Sequence, residues 1–452
     1  MARILIAGTG SGCGKTTVTL SLLSALKKRG ISVCSFKCGP DYIDPMFHKR
    51  VLGLPAFNLD PFFLDGNGLR RLLSEGAKDS SLSVIEGVMG YYDGVANTTE
   101  GSSFTVSQCT DTPVILVVSC KGVANSVGAI MSGFKNYVPD SGIRGVIFNH
   151  LSAARYPDMA DVARRAGLLP LGHLPASPEY RLGSRHLGLV TAGELKDLNT
   201  LIDKLGAKAE ETLDIGGIIK LASEAKLLQA GFSGHKPIAT GTRIAVSRDE
   251  AFCFMYDENI LLLEKLGCEI VYFSPLGDEA LPPDIGGLWL CGGYPELYAR
   301  RLAQNKSMLR SIKAAIDSGL PTIAECGGFM YLHERLADSV GTGHEMVGVI
   351  KGVAFPTEQL IRFGYLTLTA KKDNLLCEQG GSFRVHEFHY WDSTACGEDF
   401  RAKKAAKDIE WDCAHASGSL YAGFPHLYLY AAPETGVNFV NKARNFQNNK
   451  SI

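Results

Sequence analysis

Gly8-Thr9-Gly10-Ser11-Gly12-Cys13-Gly14-Lys15-Thr16-Thr17 follows an apolar run, Ile4 to Ala7, and opens an apolar-periodic stretch, Thr17 to Lys28. A strand, a glycine-rich loop and a helix in that order make an anion site. Backbone N–H groups converge, the helix dipole favours negative charge, and glycines let the backbone approach closely. Gly10, Gly12, Gly14, Lys15, Thr16 and Thr17 are therefore the candidate nucleotide-binding residues. Lys15 is placed to reach the β- and γ-phosphates and the Thr16 hydroxyl to ligate magnesium. The usual pattern has glycine where Thr9 stands; here glycine comes one place earlier, at Gly8, so the loop is a variant.

Outward from the loop, Arg3 to Ala7, Ser32 to Lys37, Leu82 to Glu86, Val114 to Ser119 and Gly145 to Asn149 are predicted strands. Continuous rather than alternating apolar strands, separated by helical stretches, read as a mainly parallel sheet covered on both faces. Such sheets present ligand residues at the ends of their strands. Lys37 leads into Cys38-Gly39-Pro40-Asp41-Tyr42-Ile43-Asp44-Pro45, Glu86 leads into Gly87-Val88-Met89-Gly90, and Asn149 closes a later run. Lys37 suits a transferring phosphate or a substrate carboxylate. Asp41 or Asp44, and Glu86, suit magnesium or its water shell, and Asn149 suits an adenine contact.

From Asp197 to Lys236 a charged helix is expected, with Leu198, Ile202, Leu205 and Leu213 facing inward, until His235-Lys236-Pro237 punctuates the chain. An α/β series then restarts with strand Arg243 to Ser247, helix Glu258 to Leu266, strands Glu269 to Phe273 and Gly287 to Cys291, helix Met308 to Ile316 and strand Thr322 to Ala324. This places a boundary near residue 237 and predicts two domains, 1–237 and 238–452.

The last of these strands runs into Glu325-Cys326-Gly327-Gly328-Phe329-Met330-Tyr331-Leu332. A buried strand, a sharp turn with small neighbours and a following helix describe a nucleophile elbow, in which the turn exposes the thiol and the helix N-terminus favours thiolate. The loop Cys291-Gly292-Gly293-Tyr294-Pro295-Glu296 can supply one side of an oxyanion hole, and the backbone after Cys326 the other. A cysteine nucleophile also needs a histidine base. His386, His389 and His426 are the candidates, and spacing alone does not choose among them.

A length of 452 residues suits two or three domains, and a formal net charge of −1 gives no electrostatic reason to expect nucleic acid or an anionic membrane as partner. No apolar run is long enough for a membrane span, and the N-terminus lacks a signal-peptide pattern, so a cytoplasmic protein is expected. Twelve cysteines without a CxxC pair read as reduced thiols rather than a metal site.

The chain resembles the cobyrinic acid a,c-diamide synthases, a family shared with hydrogenobyrinic acid and nickel-sirohydrochlorin a,c-diamide synthases and, more distantly, cobyric acid synthase. The motifs are Lys37 to Pro45, Ser184 to Val190, Ser247 to Ile260, Gly292 to Leu297, Glu325 to Leu332 and His386 to Tyr390. The resemblance implies two three-layer α/β domains. The first is a P-loop NTPase-like domain, similar to dethiobiotin synthetase, with a parallel sheet; the second is a class I glutamine amidotransferase-like domain. It implies ATP and Mg2+ as cofactors, and L-glutamine and cobyrinic acid or a related tetrapyrrole as partners, and it leaves a homodimer open. By motif, Lys15, Thr16, Lys37, Asp44 and Glu86 would serve phosphoryl transfer, while Cys326 would release ammonia from glutamine with His426 raising its nucleophilicity. Tyr42, Arg185 and His186 are the candidates for contacts to the tetrapyrrole. The family commonly continues His-Leu-His where this chain has His426-Leu427-Tyr428, and the glutamate of the ordinary class I triad, two residues after the histidine, is absent. The residue orienting His426 is thus not identified. Two other classes compete: an ATP-dependent regulatory module with an inert second domain, and a partitioning ATPase. The former predicts no glutamine-dependent ADP formation; the latter leaves the second domain unexplained.

Overall fold

A computed structural model of the chain describes residues 1–180, 192–229, 231 and 236–450. The Ser184 to Val190 motif, with Arg185 and His186, lies outside the described residues, as does His235. The chain forms two compact units, Met1–Phe232 and Ser233–Ile452.

The first unit alternates strand and helix: β1 (Ala2–Gly8), α1 (Lys15–Lys28), β2 (Val33–Cys38), α2 (Ile43–Arg50), β3 (Ala56–Leu59), α3 (Gly66–Gly76), β4 (Leu82–Glu86), α4 (Ser103–Thr110), β5 (Val114–Ser119), α5 (Val127–Asn136), β6 (Ile143–Asn149), α6 (Tyr156–Arg165), β7 (Leu169–Leu174), α7 (Ala192–Thr212) and α8 (Ile215–Ser223). The seven strands pair in parallel in the order β3-β2-β4-β1-β5-β6-β7. All five expected strands are present. The two edge strands, β3 and β7, were not expected, because one is only four residues long and the other carries Pro170 and His173. After β1 the chain builds to one side, and after β4 it crosses to the other, so β1 lies where the winding reverses. Ligands of open α/β sheets bind at that point. Helix α1 is buried along most of its length. Val18, Leu22 and Leu26 share one core with Ile4 and Ile6 of β1, Ile202 of α7, Leu213 just after it, and Ile218 and Leu221 of α8. Each such side chain contributes about 1.5–3 kcal/mol on leaving water. Leu205 is also buried, whereas Leu198 is only half-buried.

The second unit contains β8 (Arg243–Ser247), β9 (Phe252–Phe254), α9 (Asp257–Lys265), β10 (Glu269–Phe273), β11 (Gly287–Leu290), β12 (Gly292–Gly293), α10 (Ala299–Gln304), α11 (Lys306–Asp317), β13 (Thr322–Glu325) and α12 (Gly327–Tyr331). It continues through β14 (His333–Ala337), β15 (Gly343–Glu345), β16 (Ile350–Pro356), β17 (Gly364–Ala370), β18 (Ser382–Glu387), β19 (Trp391–Ser393), β20 (Phe400–Lys404), β21 (Glu410–Cys413), β22 (His415–Ala416), β23 (Leu420–Gly423), β24 (His426–Leu427) and α13 (Pro433–Lys450). The main sheet runs β10-β8-β11-β13-β23-β22, parallel except for its last strand. A five-stranded antiparallel sheet, β21-β20-β17-β18-β24, and a mixed four-stranded sheet, β15-β14-β16-β19, are additions that the sequence reading did not foresee. Among the described residues, no helix is long and apolar enough to cross a membrane.

Candidate functional site

In the first unit, strand register does much of the assembly. Lys37 of β2 and Glu86 of β4 are direct partners in the parallel ladder, which brings a buried ammonium and a buried carboxylate to the same edge. Lys37 Nζ lies 2.9 Å from Glu86 Oε1 and 2.7 Å from Asp44 Oδ2, with Asp41 Oδ2 at 3.9 Å. Thr16 at the start of α1 donates to the same Glu86 oxygen at 2.7 Å. Burial opposes the charge on Lys37, but Glu86, Asp44 and Asp41 together hold its proton well above the ordinary range. Burial, then Asp44, pushes Glu86 up to about 7, against the opposing pull of Lys37 and the Thr16 hydroxyl.

Lys15 is buried and its pKa is lowered by that burial; its ammonium donates to the carbonyls of Gly10, at 3.0 Å, and Met89. Gly10 and Gly12 leave open space where side chains would stand, and Thr17 is half-buried in the first turn of α1. Asn149 Nδ2 donates to the Cys13 carbonyl at 3.0 Å and packs against Gly14, where φ is 101° and an added Cβ would stand 1.8 Å from that nitrogen. Asn149 thus braces the loop from below. One participant was missed by sequence reasoning: His48, four residues after Asp44 on α2, places Nε2 3.7 Å from Glu86 Oε2 while its Nδ1 meets Ser35 Oγ at 2.6 Å. Helical spacing from Asp44 was the available signal.

Three carboxylates surround the Lys37 ammonium here, and the donors of the cluster are hard oxygens. That chemistry fits Mg2+, which is usually held by one or two carboxylates, water and substrate phosphates. Among the described residues, no group of three or more His, Cys, Asp or Glu side chains is arranged to hold a metal ion.

In the second unit, β13 ends at Glu325 and Cys326 turns the chain with φ 50° and ψ −105°. A non-glycine residue held there stores about 1–3 kcal/mol of strain, a recurrent feature of catalytic turns. The turn is pinned by Cys326 N–H donating to the Gly423 carbonyl at 2.8 Å. Gly327 and Gly328 are required by close approach: added Cβ atoms would stand 2.8 Å from Gly293 N and 2.1 Å from the Leu290 carbonyl. The backbone at Gly293 therefore packs directly against Gly327, the residue after the nucleophile. Helix α12 has only five residues and a correspondingly small dipole, so the principal electrostatic partner of Cys326 is a side chain rather than the helix.

That partner is His426. Burial would strip its proton, but Cys326, through charge and a hydrogen bond, and then Glu325 outweigh burial and raise its pKa to about 10. The other two candidate histidines are engaged differently. His386 is the ladder partner of His426, lies edge-on to Phe363 and Tyr365, and is pushed down to about 3 by burial and by His426. His389 Nε2 meets Glu387 Oε1 at 2.6 Å, and its ring stacks on Phe424. Their segment still borders the nucleophile, since the Phe388 carbonyl lies 3.9 Å from Cys326 Sγ.

The stretch carrying His426 is clamped from two sides. Asn259 of α9 donates to the Leu427 carbonyl at 2.8 Å and accepts from Leu429 N–H at 2.7 Å; Glu325 Oε2 accepts from Leu427 N–H at 2.9 Å. Asp249, from the same Ser247 to Ile260 motif, accepts from the backbone N–H groups of Ala251, Phe252 and Leu276, fixing the turn whose strand β9 pairs with β12. The motif is thus scaffolding for both the histidine and the Gly292–Gly293 loop.

Comparison with known proteins agrees with this division. A model of the CobQ/CobB/MinD/ParA nucleotide binding domain matches residues 4–190, and one of the CobB/CobQ-like glutamine amidotransferase domain matches residues 243–433. The cobyrinate a,c-diamide synthase of Priestia megaterium is 37% identical over 98% of this chain and 97% of its own length. Those of Thermoplasma volcanium and Salmonella typhimurium are 40% and 39% identical, covering 100% and 97% of this chain and 99% and 98% of theirs. With relatives this similar along nearly its whole length, and both of its domains matched in order, the chain belongs to the cobyrinate a,c-diamide synthase family.

Proposed function

We propose that the chain is an ATP-dependent, glutamine-hydrolysing ligase that amidates the a and c carboxylates of cobyrinic acid. Residues 1–237 form the amidoligase domain and residues 238–452 the glutaminase. The observation that carries the reading is that one chain holds both half-sites: the phosphate loop with its Lys37–Asp44–Glu86 cluster, and a strained Cys326 beside His426.

Cys326 sulfur attacks the side-chain carbonyl carbon of glutamine, its proton passing to His426. The oxyanion forms against the N–H groups of Gly293 and Gly327. The C–N bond then breaks, the nitrogen takes the proton from His426, ammonia leaves, and water hydrolyses the thioester to glutamate. In the first domain a substrate carboxylate oxygen attacks the γ-phosphorus of ATP, held by the 8–17 loop and Lys15, with Asn149 at the adenine side. ADP departs and an acyl phosphate remains. Ammonia attacks the acyl carbon, loses a proton and displaces phosphate as the amide forms. Lys37 offsets charge on the transferred phosphoryl group. Thr16, Asp44 and Glu86 would hold Mg2+, which would supply charge neutralisation for the phosphates. Use of ATP, and the absence of a disulfide among the twelve cysteines, support a cytoplasmic location.

The two half-reactions separate by mutation. Cys326→Ser is expected to abolish glutamine-dependent amidation and retain amidation with added ammonium, whereas Lys15→Ala is expected to lose both. Glutamine use by Cys326→Ser would remove Cys326 as the nucleophile.

A further inference from the structure

We infer that Glu325, the residue immediately before the nucleophile, is the positioning residue for His426 and takes the place of the absent triad glutamate. The inference rests on the glutaminase reading. Glu325 is completely buried at the end of β13. Its two oxygens have different neighbours: Oε2 accepts from Leu427 N–H at 2.9 Å, while Oε1 makes no hydrogen bond and faces His426 Nδ1 at 3.7 Å. The bond to Leu427 fixes the rotation of the carboxylate and aims Oε1 at the ring. A separation of 3.7 Å is an ion-pair contact rather than a hydrogen bond, and catalytic contacts of this kind commonly tighten once substrate binds.

The topology explains how adjacent residues serve as nucleophile and orienter. Neighbouring side chains on a strand point to opposite faces, but the chain reversal at Cys326 breaks that alternation. Glu325 is also the ladder partner of Gly423, three residues before His426. The histidine is therefore delivered to Glu325 by the same strand pairing that supports the elbow. With Nδ1 turned to Glu325, Nε2 is left for the thiol. A carboxylate at Nδ1 then keeps the proton there and stabilises the imidazolium formed when Cys326 ionises.

Among titratable groups, His426 is faced by Cys326 and Glu325 from the elbow and by His386 from β18. Glu325 brings a carboxylate to Nδ1. Glu325→Gln keeps shape and volume but has one acceptor where two donors, Leu427 N–H and His426 Nδ1–H, need one each. If that oxygen serves Leu427, the amide NH2 confronts Nδ1. Glu325→Gln is thus expected to be at least as damaging as Glu325→Ala, and Glu325→Asp the mildest, the reverse of what a space-filling role gives.

The test measures ammonia release from glutamine by the full chain and its three variants across pH, with thermal unfolding as the check on fold. The expected results are a fall in kcat on the order of 10²–10⁴-fold for the Gln variant, little change in KM, and an alkaline limb of kcat/KM moved to lower pH. Glutaminase activity and a pH profile in Glu325→Gln close to the starting protein, or a Gln variant milder than Asp, would overturn the inference while leaving the glutaminase reading intact. Should the Gln variant unfold, the Asp variant decides alone: a retained carboxylate is expected to keep the alkaline limb in place, and its movement to lower pH would overturn the inference. A starting protein that releases no ammonia from glutamine overturns both.

Discussion

Individual side chains in both half-sites are held more tightly than a surface catalytic group would be, so small changes in volume are expected to be felt. At Gly292 an added Cβ would lie 2.4 Å from His426 Cε1 and 3.2 Å from Nδ1. A contact that short must push the ring, and catalytic geometry tolerates little displacement. Gly292→Ala is expected to lower glutamine hydrolysis at least 10-fold, with amidation from added ammonium close to that of the parent, checked by assaying both donors. The sequence exposed some of these residues and hid others for physical reasons. Lys15, Thr16 and Cys326 were legible because a phosphate loop and an elbow are local: the chemistry and the backbone that aims it lie within ten residues. His426 was one of three histidines on sequence grounds. Its distinction depends on ladder register and on the paired bonds to Leu427, which no spacing records. Glu325 was concealed by adjacency, since a strand residue next to a nucleophile normally points away from it.

Among the elements, α9 has a function its sequence did not suggest. Through Asn259 it satisfies both the Leu427 carbonyl and the Leu429 N–H in a buried setting. Asn259→Ala leaves two buried backbone groups unpaired, at a cost of about 1–3 kcal/mol each. The variant is expected to unfold at lower denaturant and to hydrolyse glutamine more slowly, measured by urea titration and ammonia release; an unchanged midpoint would show that water replaces the amide. Apart from β3, β7 and β23, the parallel strands of both sheets were predicted to within two residues of their ends, because strands buried on two faces are continuous apolar runs. Strands β14 to β21 were not. They are short and half-exposed, as in β17, where Leu366, Leu368 and Ala370 are buried between less buried neighbours, and β20 and β21 interleave Lys and Glu with the core. That weaker two-residue alternation was overlooked in favour of apolar runs. The omission matters, because β18 and β24 bring His386 to His426.

For the molecule as a whole, the central claim is that two chemically incomplete units complete one reaction: one activates a carboxylate but has no nitrogen source, and the other releases ammonia but has no acceptor. Neither half-site alone selects a tetrapyrrole, and the Arg185–His186 motif suggested for that role lies outside the described residues. Membership of the family supplies the expected substrate and the number of amides. The most direct test incubates the purified full chain with ATP, Mg2+ and glutamine and, separately, cobyrinic acid, hydrogenobyrinic acid or nickel-sirohydrochlorin, and counts amide groups by mass spectrometry. Two amides on cobyrinic acid, with ADP and glutamate formed in step, is the expected result; no amide on cobyrinic acid, or amides formed without ATP, would contradict it.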